Sequence, residues 1–170
     1  MAMNAGLPGR CGELLIVQPY APMSTDPRRD DPRLGAWRAF LRAHAQVVRR
    51  LERDLAAEQD MALTDYDVLV QLAGSDQRRL RMSELADRLL LSRSGVTRLV
   101  DRLVMDGLVE RVTCDDDRRG QWAALTDTGL ARLRAAAPTH LRGVSRHFLD
   151  RLSSDELASL QRMLEPIAEA

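Results

Sequence analysis

The sequence predicts a mostly α-helical fold that carries one small β-hairpin. Apolar residues recur by threes and fours through several long stretches, which is the period of helices burying one side. Serine or threonine stands just ahead of most of those stretches, where a helix start needs acceptors for its free N–H groups. Only 4% of the residues are aromatic, which favours aliphatic helix packing over a sheet sandwich.

The 170 residues are enough for one domain with an appendage, and 45% apolar against 29% charged residues provides for a buried core. The formal net charge is zero, so the field of the whole chain does not attract a polyanion, and any nucleic-acid function must come from local placement of charge. All 25 basic residues are arginine, which reads as a composition bias rather than a choice made for bidentate contacts. No apolar run is long enough to span a bilayer, and the first residues lack a basic start leading into an apolar core, so a cytoplasmic protein is expected. Cys11 and Cys114 fit no metal spacing or CxxC pattern, and His44, His140 and His147 do not cluster with carboxylates. No metal or cofactor is expected.

Residues 1–31 hold most of the prolines and read as an irregular arm, in which Leu14-Leu15-Ile16-Val17 suits a short strand. A long helix is expected from Pro32 to about Ala57, with Leu34, Trp37, Leu41, His44, Val48, Leu51 and Leu55 as its stripe. Thr64 with Asp67 suggests a variant capping box opening TDYDVLVQLA, and Ser83 a cap for SELADRLL. In LSRSGVTRLVDRLVMDGLVER, Val96, Leu99, Val100 and Leu103 form one apolar stripe. Ser94, Thr97, Arg98 and Asp101 lie opposite it, with Arg93 and Arg102 flanking. Ser92 and Ser94 suit the start of that helix and Gly107 its end. GLVERVT (107–113) and QWAALT (121–126) are β-prone, so CDDDRRG between them becomes the long tip of a hairpin. Thr126 then caps a helix with the stripe Leu130, Leu133, Ala137, Leu141, Val144 and Phe148, which Pro138 should kink or interrupt. Ser153 with Glu156 forms a capping box for a last helix, with Leu157, Leu160, Leu164 and Ile167 as its stripe.

A short helix, a turn, a polar-faced helix and a hairpin make a winged helix-turn-helix. The outer helices are longer than one small core requires and form a helical dimerisation domain. The expected division is an arm over 1–31, dimerisation helices over 32–62 and 127–170, and a DNA-binding domain over 63–126. Such a unit places the N-terminal residues of its second helix at base edges in the major groove. The hairpin brings Arg118 and Arg119 to the neighbouring backbone or minor groove, whose negative potential attracts arginine. Residues 78–119 hold ten arginines against eight acids, so these basic groups matter only if they share a side.

SRSGVTRLVDRL, DGLVER and DDRRG followed by LTDTG, in that order across residues 80–129, resemble the core of the MarR family of bacterial transcriptional regulators. The flanking helices extend the resemblance to residues 33–169. It implies a homodimer on a palindromic double-stranded operator, with a repressor's role and release by a small molecule. Ser92, Ser94, Thr97 and Arg98 would face bases or phosphates, Arg119 would enter the minor groove, and Asp117 would orient it. The acidic CDDD run ahead of Arg118 and Arg119 departs from the pattern and opposes phosphate attraction unless those acids pair with the arginines.

For Arg93 and Arg98 the plain alternative is a solvated helix face. Trp37, Phe40, His44 and Tyr66 are candidates for a pocket taking an aromatic or phenolic effector, and taken singly each suits ordinary core. Cys114 suits an oxidation switch only weakly, because Arg111 and Arg118 favour its thiolate while the three aspartates oppose it. No nucleophile elbow or phosphate-cradling glycine loop is present, so an enzyme is not expected. The rival class is a winged helix that binds protein, which would lack the steep salt dependence of phosphate contacts.

Overall fold

In a computed structural model the described residues are 31–114 and 117–168, and of residues 113, 114 and 117–120 only the backbone. The arm, with Leu14–Val17 and Cys11, lies outside them. The chain divides into the units Met1–Ala39 and Phe40–Ala170. The described part of the first is the start of helix α1 (Arg33–Gln59). There Asp31 accepts from the Arg33 backbone N–H at 2.9 Å and pairs with its guanidinium at 2.6 Å.

In the second unit the remainder of α1 is followed by α2 (Leu63–Ala73), strand β1 (Arg79–Arg81), α3 (Met82–Arg88) and α4 (Arg93–Met105). Next come β2 (Val109–Cys114), β3 (Asp117–Leu125), α5 (Asp127–His147) and α6 (Ser154–Ala168). The sheet is antiparallel in the order β1-β3-β2. One core gathers Leu51 and Leu55 of α1, Val68, Leu69 and Leu72 of α2, the α4 stripe, Val109 and Leu125 of the sheet, and Leu133 of α5.

Several local expectations are corrected. β1 was not foreseen, because three residues of RLR show no readable alternation; pairing with β3 makes them a strand, with Leu80 opposite Ala123. That strand runs straight into α3, so Arg81 stands at its cap position without a side-chain cap hydrogen bond, and Ser83 falls inside the first turn. Thr64 likewise does not cap α2. Ala62 holds that position, and Glu52 from α1 takes the Leu63 N–H at 2.8 Å, a distant carboxylate replacing the local hydroxyl. The strands reach further into the hairpin than expected: β3 begins at Asp117, with Cys114 opposite it beyond a register shift at Thr113/Cys114. α5 passes through Pro138 without interruption.

Other local expectations hold. Ser92 Oγ accepts from Gly95 N at 3.1 Å and Thr126 Oγ1 from Gly129 N at 2.9 Å. Ser153 and Glu156 cap reciprocally, Glu156 receiving the Ser153 N–H at 2.8 Å. Gly107, at φ +71°, ends α4 with Leu108 N bonding back to Leu103 O at 2.9 Å.

The buried line of α5 follows its expected stripe only in part: Leu133 is in the core and Leu130, Ala137 and Val144 pack half-buried against it. Gly129, Leu133, Ala136, Thr139 and Gly143 are covered, whereas Leu141 is exposed. Small residues at 129, 136 and 143 recur every seven positions and let neighbouring chain approach. Beside them, Thr139 bonds Gln59 and Glu58 at 3.0 and 3.1 Å, Arg142 pairs with Glu58 at 2.6 Å, and His147 meets Asp54 at 2.7 Å. α6 has no buried residue at all: Leu157, Leu160 and Leu164 are half-buried and Ile167 is exposed. Among the described residues, no helix is long and apolar enough to cross a membrane.

Candidate nucleic-acid interface

α4 is amphipathic as its spacing requires. Val96, Leu99, Val100 and Leu103 are buried, while Ser92, Arg93, Ser94, Thr97, Arg98, Asp101 and Arg102 are exposed. The first turn is organised by hydroxyls. Ser92 Oγ lies 3.2 Å from Ser94 Oγ, and Thr97 Oγ1 donates to Arg93 O at 2.8 Å.

The cations on this helix and beside it fall into two sets. Arg102 pairs with Asp65 of α2, and Arg111 of β2 with Asp101 at 2.7 Å and Gln121 at 3.0 Å. Asp101 and Arg102 are thus paired, though across elements rather than with neighbours one turn away. These ties fasten α4 to α2 and to the wing. Arg93 and Arg98 carry no ion pair among the described residues and lie exposed on the outer face of α4. Burying one face while tying the rearward charges leaves an outward patch of two arginines and three hydroxyls. That is the donor set for phosphates and base edges.

Asp117, Arg118 and Arg119 open strand β3 instead of lying in the tip loop that the sequence suggests. Their side chains and that of Cys114 lie outside the described residues. On the same sheet, Trp122 has the guanidiniums of Arg79 and Arg81 at 5.4 and 5.2 Å from its ring. This cluster escaped the sequence reading because its partners are about forty residues apart and meet only through β1.

The four candidate effector residues are placed as follows. Trp37 is exposed in the first unit. In the second, Phe40 stacks on His44 at 6.3 Å, and both are exposed. Tyr66 is buried and stacks on His140 at 4.4 Å. Burial pushes the Tyr66 hydroxyl pKa up, with Asp67 adding to it, and pushes that of His140 down; His140 Nδ1 is buried without a partner among the described residues. Burial also raises the Asp67 carboxyl to about 6, helped by the charge of Glu52. A shallow groove of about 360 Å³ runs along α6, lined by Leu152, Leu160 and Met163 among others and by none of these four. Among the described residues no group of three metal-ligating side chains gathers.

The family model described as MarR family matches residues 59–120. AbsC, a MarR family transcriptional regulator from Streptomyces coelicolor, is 39% identical over 82% of this chain and 93% of its own, with a TM-score of 0.76. The chain belongs to the MarR family. Sco3205 of the same organism and family, solved in complex with DNA, is 37% identical over 82% of this chain and 90% of its own, again at a TM-score of 0.76. The HTH-type transcriptional regulator YkoM from Bacillus subtilis is 31% identical over 78% of this chain and 83% of its own. This MarR-family chain is a DNA-binding transcriptional regulator with a winged helix, and not an enzyme.

Proposed function

We propose that this MarR-family regulator binds a palindromic double-stranded operator as a homodimer and acts in the cytoplasm as a repressor by occluding the DNA it covers. Ser92, Arg93, Ser94, Thr97 and Arg98 contact one half-site. Arg118 and Arg119, oriented by Asp117, contact the flanking backbone or minor groove. The observation that carries this is the division of charge on α4 and the adjacent β2: Arg102 and Arg111 are paired with Asp65 and Asp101, and Arg93 and Arg98 carry no ion pair among the described residues. A dimer is supported by α6, whose apolar stripe includes no buried residue in the single chain. Two reading heads on B-DNA then lie about one helical turn apart, ~34 Å.

Selection of bound duplexes from a random pool tests the reading, with an inverted repeat as the expected product. Arg98→Ala then weakens binding by about 1–3 kcal/mol and relaxes preference at one base pair per half-site. A pool that shows no enrichment in dilute buffer sinks the proposal.

Release by a small aromatic or phenolic effector is a second part of the proposal. The stacked Tyr66–His140 pair supports it, because a buried imidazole nitrogen without a partner is a ready acceptor or donor for a phenol. Titration of the operator complex with substituted phenols tests this, and Tyr66→Ala should remove any release.

A further inference from the structure

α3 and α4 end with the same backbone motif but with different chemistry. At the end of α4, Gly107 takes the left-handed conformation, and Leu108 N bonds back to Leu103 O. At the end of α3, Leu91 N bonds back to Ala86 O at 3.0 Å and Leu90 N to Asp87 O at 3.2 Å. The left-handed residue there is Leu90, at φ +54°. Glycine or asparagine suits that position, because a Cβ crowds the following carbonyl. The side chain recovers nothing inside the protein, since Leu90 is 92% exposed. An exposed leucine alone is ordinary. An exposed leucine held in the left-handed region is disfavoured twice, by the backbone and by water, in a chain that places glycine at the equivalent point of its next helix. Backbone outliers of this kind gather where a ligand is met.

Its position says which ligand. Leu90 lies two residues before Ser92, the cap of α4, so the two Cα atoms are no more than about 7 Å apart. The start of α4 is the end that enters the major groove in a winged helix. Ser92, Arg93 and Ser94 supply hydrogen-bonding groups at that end, and Leu90 is the apolar group beside them. The one apolar feature of the major groove is the 5-methyl of thymine. Leu90 with half-exposed Leu91 is far too small a patch for a protein partner, which needs roughly 800 Å² per side. Met105 is comparably bare at 81%, but it closes the far end of α4 with no positive φ.

We propose that Leu90 is a specificity residue whose side chain packs on a thymine 5-methyl at one position of each operator half-site. This rests on the DNA-binding reading above and names a base which that reading leaves open.

The test uses the full chain and a duplex taken from the selection, with thymines replaced one at a time by uracil, which removes only the methyl. Parent protein should lose about fourfold in affinity at one thymine per half-site, the worth of one buried methyl. Leu90→Gly should bind the thymine duplex about as weakly as parent binds the uracil one, and should be indifferent to the replacement. Leu90→Asn should behave likewise. Both variants suit the left-handed position, so their thermal midpoints should equal or exceed that of parent. Unchanged thymine preference in Leu90→Gly, or a parent that binds tightly yet ignores every thymine-to-uracil change, overturns the assignment while leaving DNA binding intact. A parent that selects no duplex overturns both.

Discussion

The junction between wing and α5 admits a sharp test at Gly129. This residue is buried in the first turn of α5, and a Cβ built there would stand 2.0 Å from Leu108 O and 2.7 Å from Leu125 Cδ1. The closer atom is backbone, and it is already engaged: Leu108 O accepts from Thr126 N at 3.2 Å and Thr126 Oγ1 at 3.1 Å. Gly129→Ala must therefore push the start of β2 and the start of α5 apart by about 1 Å. Overpacking of this kind costs ~1–3 kcal/mol. The Thr126 bonds lost with it add about 1 kcal/mol each. The gain in helix propensity from glycine to alanine returns only about 1 kcal/mol. The net loss is on the order of 3 kcal/mol, which in a chain of this size lowers the thermal midpoint by roughly 6–12 °C. Gly143→Ala is the control. Its nearest neighbour is Leu51 Cδ2 at 2.7 Å, the movable end of a side chain, so the helix gain offsets the crowding to within about 1 kcal/mol. Urea unfolding followed by circular dichroism, at one fixed protein concentration, measures both variants. Equal stability of the two variants refutes the argument from close approach.

Asp67 gives a pH signature. Its folded pKa of about 6 is raised above the unfolded value, so its contribution to stability is fully present below about pH 4 and is lost as pH rises through 6. Asp67→Asn should accordingly raise the unfolding free energy read from urea titration at pH 8, by about 1 kcal/mol after solvent screening, and do nothing at pH 4; an equal gain at both pH values contradicts the assigned cause. Arg93→Ala should flatten the salt dependence of operator binding by about one unit of slope if Arg93 meets a phosphate, as read from affinities across a salt series. A double-mutant cycle on Asp101 and Arg111, an exposed pair, should give less than ~1 kcal/mol of coupling in stability. The same pair should couple measurably in operator affinity if it sets the angle between α4 and the wing.

What the sequence determined by itself was local and periodic. The α4 stripe, the caps at Ser92, Thr126 and Ser153, and the Gly107 stop were legible because each depends on residues within one or two turns. The outward set of Ser92, Ser94, Thr97, Arg93 and Arg98 was legible for the same reason, since burial of one helix face dictates the other. Tertiary structure decided whatever depends on a distant partner. β1 exists because β3 pairs with it, α2 is capped by Glu52 of α1, and the covered line of α5 adds to Leu133 the small residues that admit close approach. It also decided which arginines are paired, since Asp65 and Asp101 reach Arg102 and Arg111 from other elements. A period can be counted along one chain, but a partner is found only when the chain has folded back on itself.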